Sequence, residues 1–277
     1  MSAFLDEMAG SSRARVREAR TTRSLAALES AVQAMATPPP LRLDASGFDL
    51  IAELKLRSPA AGRLGAAGED VAARVGGYAR AGAAAVSVLT EPSRFEGSLA
   101  HLAAAAQVLT PLGVPALRKD FVVDPYQLYE ARAAGAGGVL LILRMLPAAQ
   151  TAALLECARA LGLFVLLEAF DEEDIALMHA LIEAQRGSNT LLAGLNCRDL
   201  STLEVVPARL IELSSLLPDQ VPRVAESGVT SVEDARTVAA AGYSLALVGS
   251  ALMRGGDAEG LARSLIAAGR AARRADL

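Results

Sequence analysis

The sequence contains no tryptophan, two cysteines, two histidines and few aromatic residues of any kind, 4% in all. Cys157 and Cys197 are too few for a disulfide framework or a metal-ligand cluster, and they suit a reducing, cytoplasmic setting. His101 and His179 fall in helical patterns without ligand partners at metal-binding spacing, and they read as surface residues. No uncharged apolar run reaches the about 18 residues that a membrane span needs. The opening Met-Ser-Ala-Phe-Leu-Asp-Glu-Met lacks the basic-then-apolar order of a signal peptide. No Walker-type or dinucleotide-binding glycine motif occurs, so no nucleotide cofactor is expected. Charge of one sign is also missing: 27 basic against 31 acidic residues leave a net charge of −4. That balance gives no general electrostatic case for nucleic acid, so an anionic ligand must be held by a local site.

What is present is apolar and regular. Hydrophobic residues make up 52% of the 277 positions and charged ones 21%, which argues against disorder and fits one large domain. Residues 1–48 stand apart as a helical extension. Arg13, Arg15, Arg17, Arg20 and Arg23 precede an alanine- and leucine-rich stretch that Thr37-Pro38-Pro39-Pro40 stops. These arginines read either as a solvated helix face or as an extension packed across one end of the fold.

From residue 49 to 277 short apolar runs alternate with amphipathic helical patterns. The runs are 49–55, 85–89, 116–119, 138–143, 164–168, 191–196, 223–227 and 245–249. Each is nearly continuously hydrophobic, as strands covered on both faces must be. Their starts lie about 22 to 36 residues apart, room for one βα unit each, and eight units in series predict a closed (β/α)8 TIM barrel. Ala-Gly steps at Gly82, Gly135 and Gly242 lead into the second, fourth and eighth runs, where a glycine at a helix C′ position turns the chain back. Asp124-Pro125 and Ser231-Val232-Glu233-Asp234 read as helix starts.

In such a barrel the chemistry sits at the C-terminal ends of the strands. Side-chain alternation places Glu53 and Lys55 on one inner face, and Lys119 with Phe121 on another, with Asp120 opposite. Lys119 reads as a cation in a cleft, its pKa lowered by desolvation, or as a lysine paired with Glu53 or Glu168 for structure alone. Glu168 ends a wholly apolar strand and suits general acid–base work. Asn196 and Arg198 share a face, Arg198 offering a fork for a carboxylate, while Cys197 on the other face packs. Ser227 and Gly228 after the seventh run, and Gly249 and Ser250 after the eighth, are small residues where barrels commonly bind phosphate. Arg270, Arg273 and Arg274 read as decoration of a solvated C-terminal helix.

Taken together, these segments resemble the indole-3-glycerol phosphate synthase family. The matching stretches are Ile51-Ala52-Glu53-Leu54-Lys55 with Ser58-Pro59, Ser87 to Glu91 with Phe95 to Leu99, and Leu117 to Phe121 followed by Asp124 to Gln127. Asn196 to Leu200, Ala225 to Gly228 and Val248 to Arg254 complete the series. The resemblance implies a carboxy-lyase of tryptophan biosynthesis that closes an indole ring on a small phosphorylated substrate. It implies Lys119 as the acid for ring closure and Glu53 as stabiliser of positive charge on the anilino nitrogen. Lys55 and Glu168 would serve proton transfers, and Asn196 and Arg198 substrate orientation. Ser58 joins the phosphate- and hydroxyl-contacting set of Ser227, Gly228, Gly249 and Ser250. An aromatic slot follows from Pro59, Phe95, Phe121, Leu140, Leu200 and Leu247. No metal or organic cofactor is implied, nor a membrane, and the chain is expected as a monomer or weak homodimer. Alternatives are a paralogue for a substituted anthranilate adduct, or a silent barrel serving as a binding subunit. Ala60-Ala61 and Phe170 depart from the family pattern and put closure of the first βα loop and the rim beside Glu168 in question.

Overall fold

The computed structural model describes residues 3–45, 47–66, 68–185, 191–200 and 202–275. Eight parallel strands close on themselves: β1 (Asp49–Leu54), β2 (Ala85–Leu89), β3 (Ala116–Lys119), β4 (Gly138–Ile142), β5 (Phe164–Ala169), β6 (Leu191–Asn196), β7 (Arg223–Glu226) and β8 (Leu245–Val248). They run in chain order around the barrel, and β1 pairs with both β2 and β8 to close it. The strands lie on the predicted apolar runs. Lys55, Leu143, Ser227 and Gly249 fall just past their strands, and Ala169 extends β5.

Helices α1 (Ala3–Thr22) and α2 (Leu25–Gln33) precede the barrel; α3 (Val71–Arg80), α4 (Leu99–Leu109), α5 (Pro125–Ala133), α6 (Ala148–Ala160), α7 (Glu172–Ala184), α8 (Ala208–Glu212), α9 (Val232–Ala240) and α10 (Ala258–Ala275) surround it. Local chemistry sets their ends. Asp124 and Ser231 form capping boxes with Gln127 and Asp234, satisfying N–H groups that a helix start leaves unpaired. Gly82, Gly135 and Gly242 sit at φ of 93°, 86° and 95°, the left-handed conformation predicted for the turns into β2, β4 and β8.

The extension is two helices rather than one stretch. Ser24 breaks it by accepting a hydrogen bond from the Ala27 N–H at 3.2 Å, and α2 ends before Thr37. Arg13, Arg17 and Arg23 lie exposed, as a solvated face. Arg15 instead turns inward and donates to both oxygens of Asp120, at 2.7 and 3.0 Å, while Ser12 Oγ donates to the Phe121 carbonyl at 2.5 Å. Phe4 meets the Phe121 ring edge-on at 5.9 Å. Helix α1 is thereby fastened across the C-terminal end of β3. Arg270 corrects the reading of a purely solvated C-terminal helix: it donates to the Phe48 carbonyl at 3.0 Å and to Asp49 at 2.7 Å, tying α10 to the start of β1.

Asp120 is the hub of the α1 attachment. It is buried, and besides Arg15 it accepts from Arg118 Nη2 at 3.0 Å, Thr90 Oγ1 at 2.7 Å and the Phe121 N–H at 2.8 Å. Burial alone raises a carboxyl's pKa, but Arg118, Arg15 and Thr90 together outweigh it and hold Asp120 below the usual carboxylate range. A depressed folded-state pKa contributes stability that is present above the unfolded value and lost as pH falls through the folded one. Asp120→Asn is therefore expected to cost about 3–5 kcal/mol at pH 7, since it leaves buried guanidinium charge uncompensated. It is also expected to flatten the loss of stability below about pH 4. Urea unfolding of both proteins from pH 7 down to pH 3 checks both statements; equal acid slopes would show that Asp120 is not the linked group.

Candidate active site

A cavity of about 390 Å³ opens at the C-terminal end of the barrel. Every site residue expected from the sequence lines it: Glu53, Lys55, Ser58 and Pro59; Phe95, Lys119 and Phe121; Leu140 and Glu168; Asn196, Arg198 and Leu200; Ser227, Gly228, Leu247, Gly249 and Ser250. Phe4 and Leu5 of α1 add to one wall, so of the two readings of the extension the structure favours packing across one end of the fold.

The charged floor is built by strand register. Lys55 Nζ donates to Glu53 Oε2 at 2.6 Å, the opposite-charge pair that alternation along β1 predicts, while Leu54 between them is buried on the outer side. Glu53 has room because residue 249 is glycine: a Cβ there would collide with the Glu53 carboxylate. Lys119 Nζ lies 3.4 Å from Glu168 Oε1 and 3.6 Å from Glu226 Oε2. Glu168 also accepts from Asn196 Nδ2 at 2.7 Å, and Asn196 Oδ1 accepts from the Arg198 N–H at 3.0 Å. Carboxylate, amide and backbone thus form one chain across β5 and β6.

The surroundings of Lys119 correct the expected direction of its pKa. Desolvation, the largest single influence, does lower it. The charges of Glu168, Glu226 and Glu53 together raise it by more, and the net shift is upward. Lys119 is an ammonium across the neutral range. That form suits a proton donor and electrostatic anchor and does not suit a nucleophile or base.

Glu226 was missed among the candidate site residues. It is 1% exposed, and among the described residues no hydrogen-bond donor reaches either of its oxygens. Burial, reinforced by the neighbouring Glu168 charge, pushes its pKa well above the usual glutamate range despite Lys119. The signal is in the sequence: Glu226 ends an apolar strand in the same way as Glu168, directly before the small residues Ser227 and Gly228.

The opposite rim is smaller and less charged. Ser227 and Gly228 take positive φ of 66° and 74°, a sharp reversal directly after β7. Past β8 a helical turn, Ser250–Arg254, begins at Gly249. Met253 is the first residue to donate back along it, to the Gly249 carbonyl at 2.9 Å, leaving the N–H groups of Ser250, Ala251 and Leu252 without intrahelical partners. Between the two rims lie Phe95 and Phe121, their ring centroids 6.2 Å apart, with Pro59, Leu140, Leu200 and Leu247. Phe95 is set by Glu91, whose carboxylate caps the turn Pro92–Phe95 through the N–H groups of Ser93, Arg94 and Phe95.

Arg198 is partly committed, donating from Nη1 to the Leu203 carbonyl at 2.6 Å. Cys197 is buried, and desolvation raises its thiol to about 11, in keeping with packing rather than chemistry. Of the two histidines His179 is exposed and His101 only half-buried, and neither reaches the cavity. The departures from the family pattern are accommodated locally. Residues 57–58 and 62–63 form a small antiparallel ribbon across Ala60-Ala61, and Arg63 and Arg57 pair with Glu96 at 2.8 and 3.6 Å. Phe170 is buried under the Arg144 guanidinium, 4.8 Å from its ring. Among the described residues no group of three or more histidine, cysteine, aspartate or glutamate side chains is arranged to hold a metal ion, and no helix is long and apolar enough to cross a membrane.

Comparison with known proteins bears on the fold and on the family. Solved structures share the barrel at low identity. 3-Hexulose-6-phosphate synthase from Salmonella typhimurium matches with a TM-score of 0.61 at 16% identity, covering 79% of this chain and 97% of that one. Thiamine phosphate pyrophosphorylase from Pyrococcus furiosus matches with a TM-score of 0.58 at 16% identity, covering 82% and 97%. At such identity these show the fold alone. Sequence relatives are far nearer. The indole-3-glycerol phosphate synthase of Parafrankia sp. (strain EAN1pec) is 44% identical over 92% of this chain and 91% of its own length. That of Micrococcus luteus is 43% identical over 91% and 90%. The family model for indole-3-glycerol phosphate synthase matches residues 5–265, and with that span the chain belongs to the indole-3-glycerol phosphate synthase family.

Proposed function

We propose that this chain is an indole-3-glycerol phosphate synthase of tryptophan biosynthesis. It converts 1-(2-carboxyphenylamino)-1-deoxyribulose 5-phosphate to indole-3-glycerol phosphate with loss of carbon dioxide and water. The observation that carries the reading is the division of the cavity: two lysines and three carboxylates on one side, uncommitted backbone N–H groups on the other, and an apolar slot between. A substrate with an aromatic ring, a reacting ketose and a terminal phosphate has the same three parts.

In this reading the phosphate sits at Ser227, Gly228, Gly249 and Ser250, where small residues and a helix start favour an anion, with Ser58 at the edge. The ring lies between Phe95, Phe121 and Pro59 and against Leu140, Leu200 and Leu247. Arg198 and Asn196 orient it, Arg198 toward the ring carboxylate. Ring closure joins the carboxylate-bearing aromatic carbon to the ketose carbonyl carbon. Lys119 donates a proton to the carbonyl oxygen as the bond forms, which removes the alkoxide that would otherwise develop. Glu53 stabilises positive charge on the anilino nitrogen. Carbon dioxide then departs and its bonding pair restores the aromatic ring. Dehydration follows, with Lys55 and Glu168 as the groups for proton transfer. The substrate is a phosphorylated small molecule, and we place the enzyme in the cytoplasm as a monomer or weak homodimer.

Purified protein supplied with the deoxyribulose phosphate adduct is expected to generate indole absorbance and fluorescence over a low background, because the chain has no tryptophan. Folded protein that yields no indole product would sink the reading. Lys119→Ala is expected to lower kcat by about 10²–10⁴-fold. Binding of a simple phosphate monoester, followed by calorimetry, should change little, since Lys119 is placed on the opposite rim. Near-normal turnover in that variant would mean that a different group supplies the proton for ring closure.

A further inference from the structure

We propose that Glu168 and Glu226 share a single proton in the resting enzyme, carried by Glu226, and that this one-proton pair performs the proton exchange of dehydration. The second half rests on the reaction proposed above and puts Glu226, in place of Lys55, in the acid's part beside Glu168, leaving Lys55 to its ion pair with Glu53.

The argument begins with packing. Glu168 on β5 and Glu226 on β7 are separated by β6, where Gly194 stands beside Glu168 and Asn196 beside Glu226. A Cβ on residue 194 would collide with the Glu226 carboxylate. The missing side chain is what allows Glu226 to lie over β6 toward Glu168, so that both carboxylates reach the same ammonium, Lys119 Nζ, at 3.6 and 3.4 Å. Two ionised carboxylates cannot converge so closely without repulsion, because neither has a hydrogen to offer the other. With one proton between them the contact becomes a hydrogen bond, and a strong one, since its acceptor is charged.

The other groups facing Glu226 do not remove the need for that proton. Lys119 is the nearest cation, at 3.6 Å, and it is shared with Glu168 at 3.4 Å. Lys55 is committed to Glu53 at 2.6 Å, and Glu53 adds a further negative charge. Asn196 gives its amide to Glu168, Arg198 gives Nη1 to Leu203, and β8 presents only Leu245, Ala246, Leu247 and Val248. The same inventory decides which oxygen holds the proton. Glu168 has the Asn196 donor and the nearer ammonium, so its oxygens are already supplied with hydrogens. Glu226 has no donor among the described residues and is buried.

A pair in this state is suited to a step that needs one proton delivered and one removed. In dehydration the C–O bond of the newly formed carbinol breaks and its electron pair leaves with oxygen. Glu226 supplies the proton that makes the leaving group water. A C–H bond on the adjacent ring carbon, next to nitrogen, breaks in turn; its electron pair becomes the indole C=C bond and its proton passes to Glu168. The pair ends with the one proton it began with, now on Glu168, and transfer across the shared hydrogen bond restores the starting state.

The direct test is infrared difference spectroscopy of the full chain, wild type against Glu226→Gln, at pH 7. A protonated-carboxyl C=O band that shifts down in D2O and vanishes in the variant is expected; no such difference anywhere between pH 6 and 8 would overturn the shared proton. The band's titration midpoint should fall in Glu168→Gln, because the neighbouring negative charge is gone, and an unmoved midpoint would overturn the pairing. That second variant also decides the matter if Glu226→Gln does not fold. In kinetics, Glu226→Gln keeps shape and neutrality but has no carboxyl proton to give, so KM should stay near the wild-type value while kcat falls by about 10²–10⁴-fold. Unchanged kcat would overturn the role in dehydration. A band present in a protein that makes no indole product would uphold the shared proton and overturn the substrate reading instead.

Discussion

The carboxylate of Asp120 is the constraint on which the working end of the barrel depends. It lies one residue from Lys119 and one from Phe121, and its hydrogen bonds come from the strand itself, the following backbone, Thr90 on the neighbouring connection and Arg15 on α1. Because alternation sends Asp120 outward, every bond that holds it also fixes the inward directions of Lys119 and Phe121. Arg118 extends the anchorage to α5 through the Gln127 carbonyl at 2.7 Å and Glu130 at 3.2 Å. A single buried anion therefore joins the extension, the third βα unit and the cationic centre of the cavity. Buried ion pairs are weak sources of net stability, but their geometry is demanding. Here the geometry is what the site uses.

Opposite Asp120, inside the barrel, the organising device is the absence of side chains. Gly194 and Gly249 each stand where a methyl group would strike a carboxylate, Glu226 in one case and Glu53 in the other. A closed barrel of this size fills its interior with side chains in layers. Gaps in the uppermost layer are what let three carboxylates and two lysines crowd above the apolar core without displacing it. The crowding then sets the chemistry. Lys119 would titrate low if burial acted alone, yet it is pushed upward because three carboxylates surround it.

The fold was readable because parallel barrel strands are covered on both faces and so appear as unbroken apolar runs, from Leu50-Ile51-Ala52 in β1 to Leu245-Ala246-Leu247-Val248 in β8. Inner-face residues near strand ends followed from period-two alternation, which is why Glu53 with Lys55, and Lys119 with Phe121, fell where expected. Alternation says nothing about partners contributed by distant segments. Arg15 and Arg270 both looked like solvated helix charges, and both are tied down by aspartates about 105 and 221 residues away. Nor can a strand pattern report the sum of several fields at one atom, so the direction of the Lys119 shift lay beyond it. Glu226 belongs to a different category: the strand-end rule that selects Glu168 applies equally to it, although the Ser227-Gly228 step that follows is the more familiar phosphate signal.

The charge count of the cavity explains how an acidic-looking site accepts an anionic substrate. Three ionised carboxylates against two lysines would leave the floor at net −1 and repel a ring carboxylate. A proton held on Glu226 brings the floor to neutrality. Lys119 is then opposed by Glu168 directly and by Glu53 at longer range, and Lys55 by its direct contact with Glu53. The phosphate, which carries more charge, is assigned to the far rim, where the partners are backbone N–H groups and small residues rather than carboxylates. In a cavity with low local dielectric, separating the phosphate from the floor lowers the repulsion. It also leaves the two lysines available to the end of the substrate where bonds change. If Glu226 carries the proton as proposed, that single proton serves twice: it removes the excess negative charge and supplies the acid for the last step.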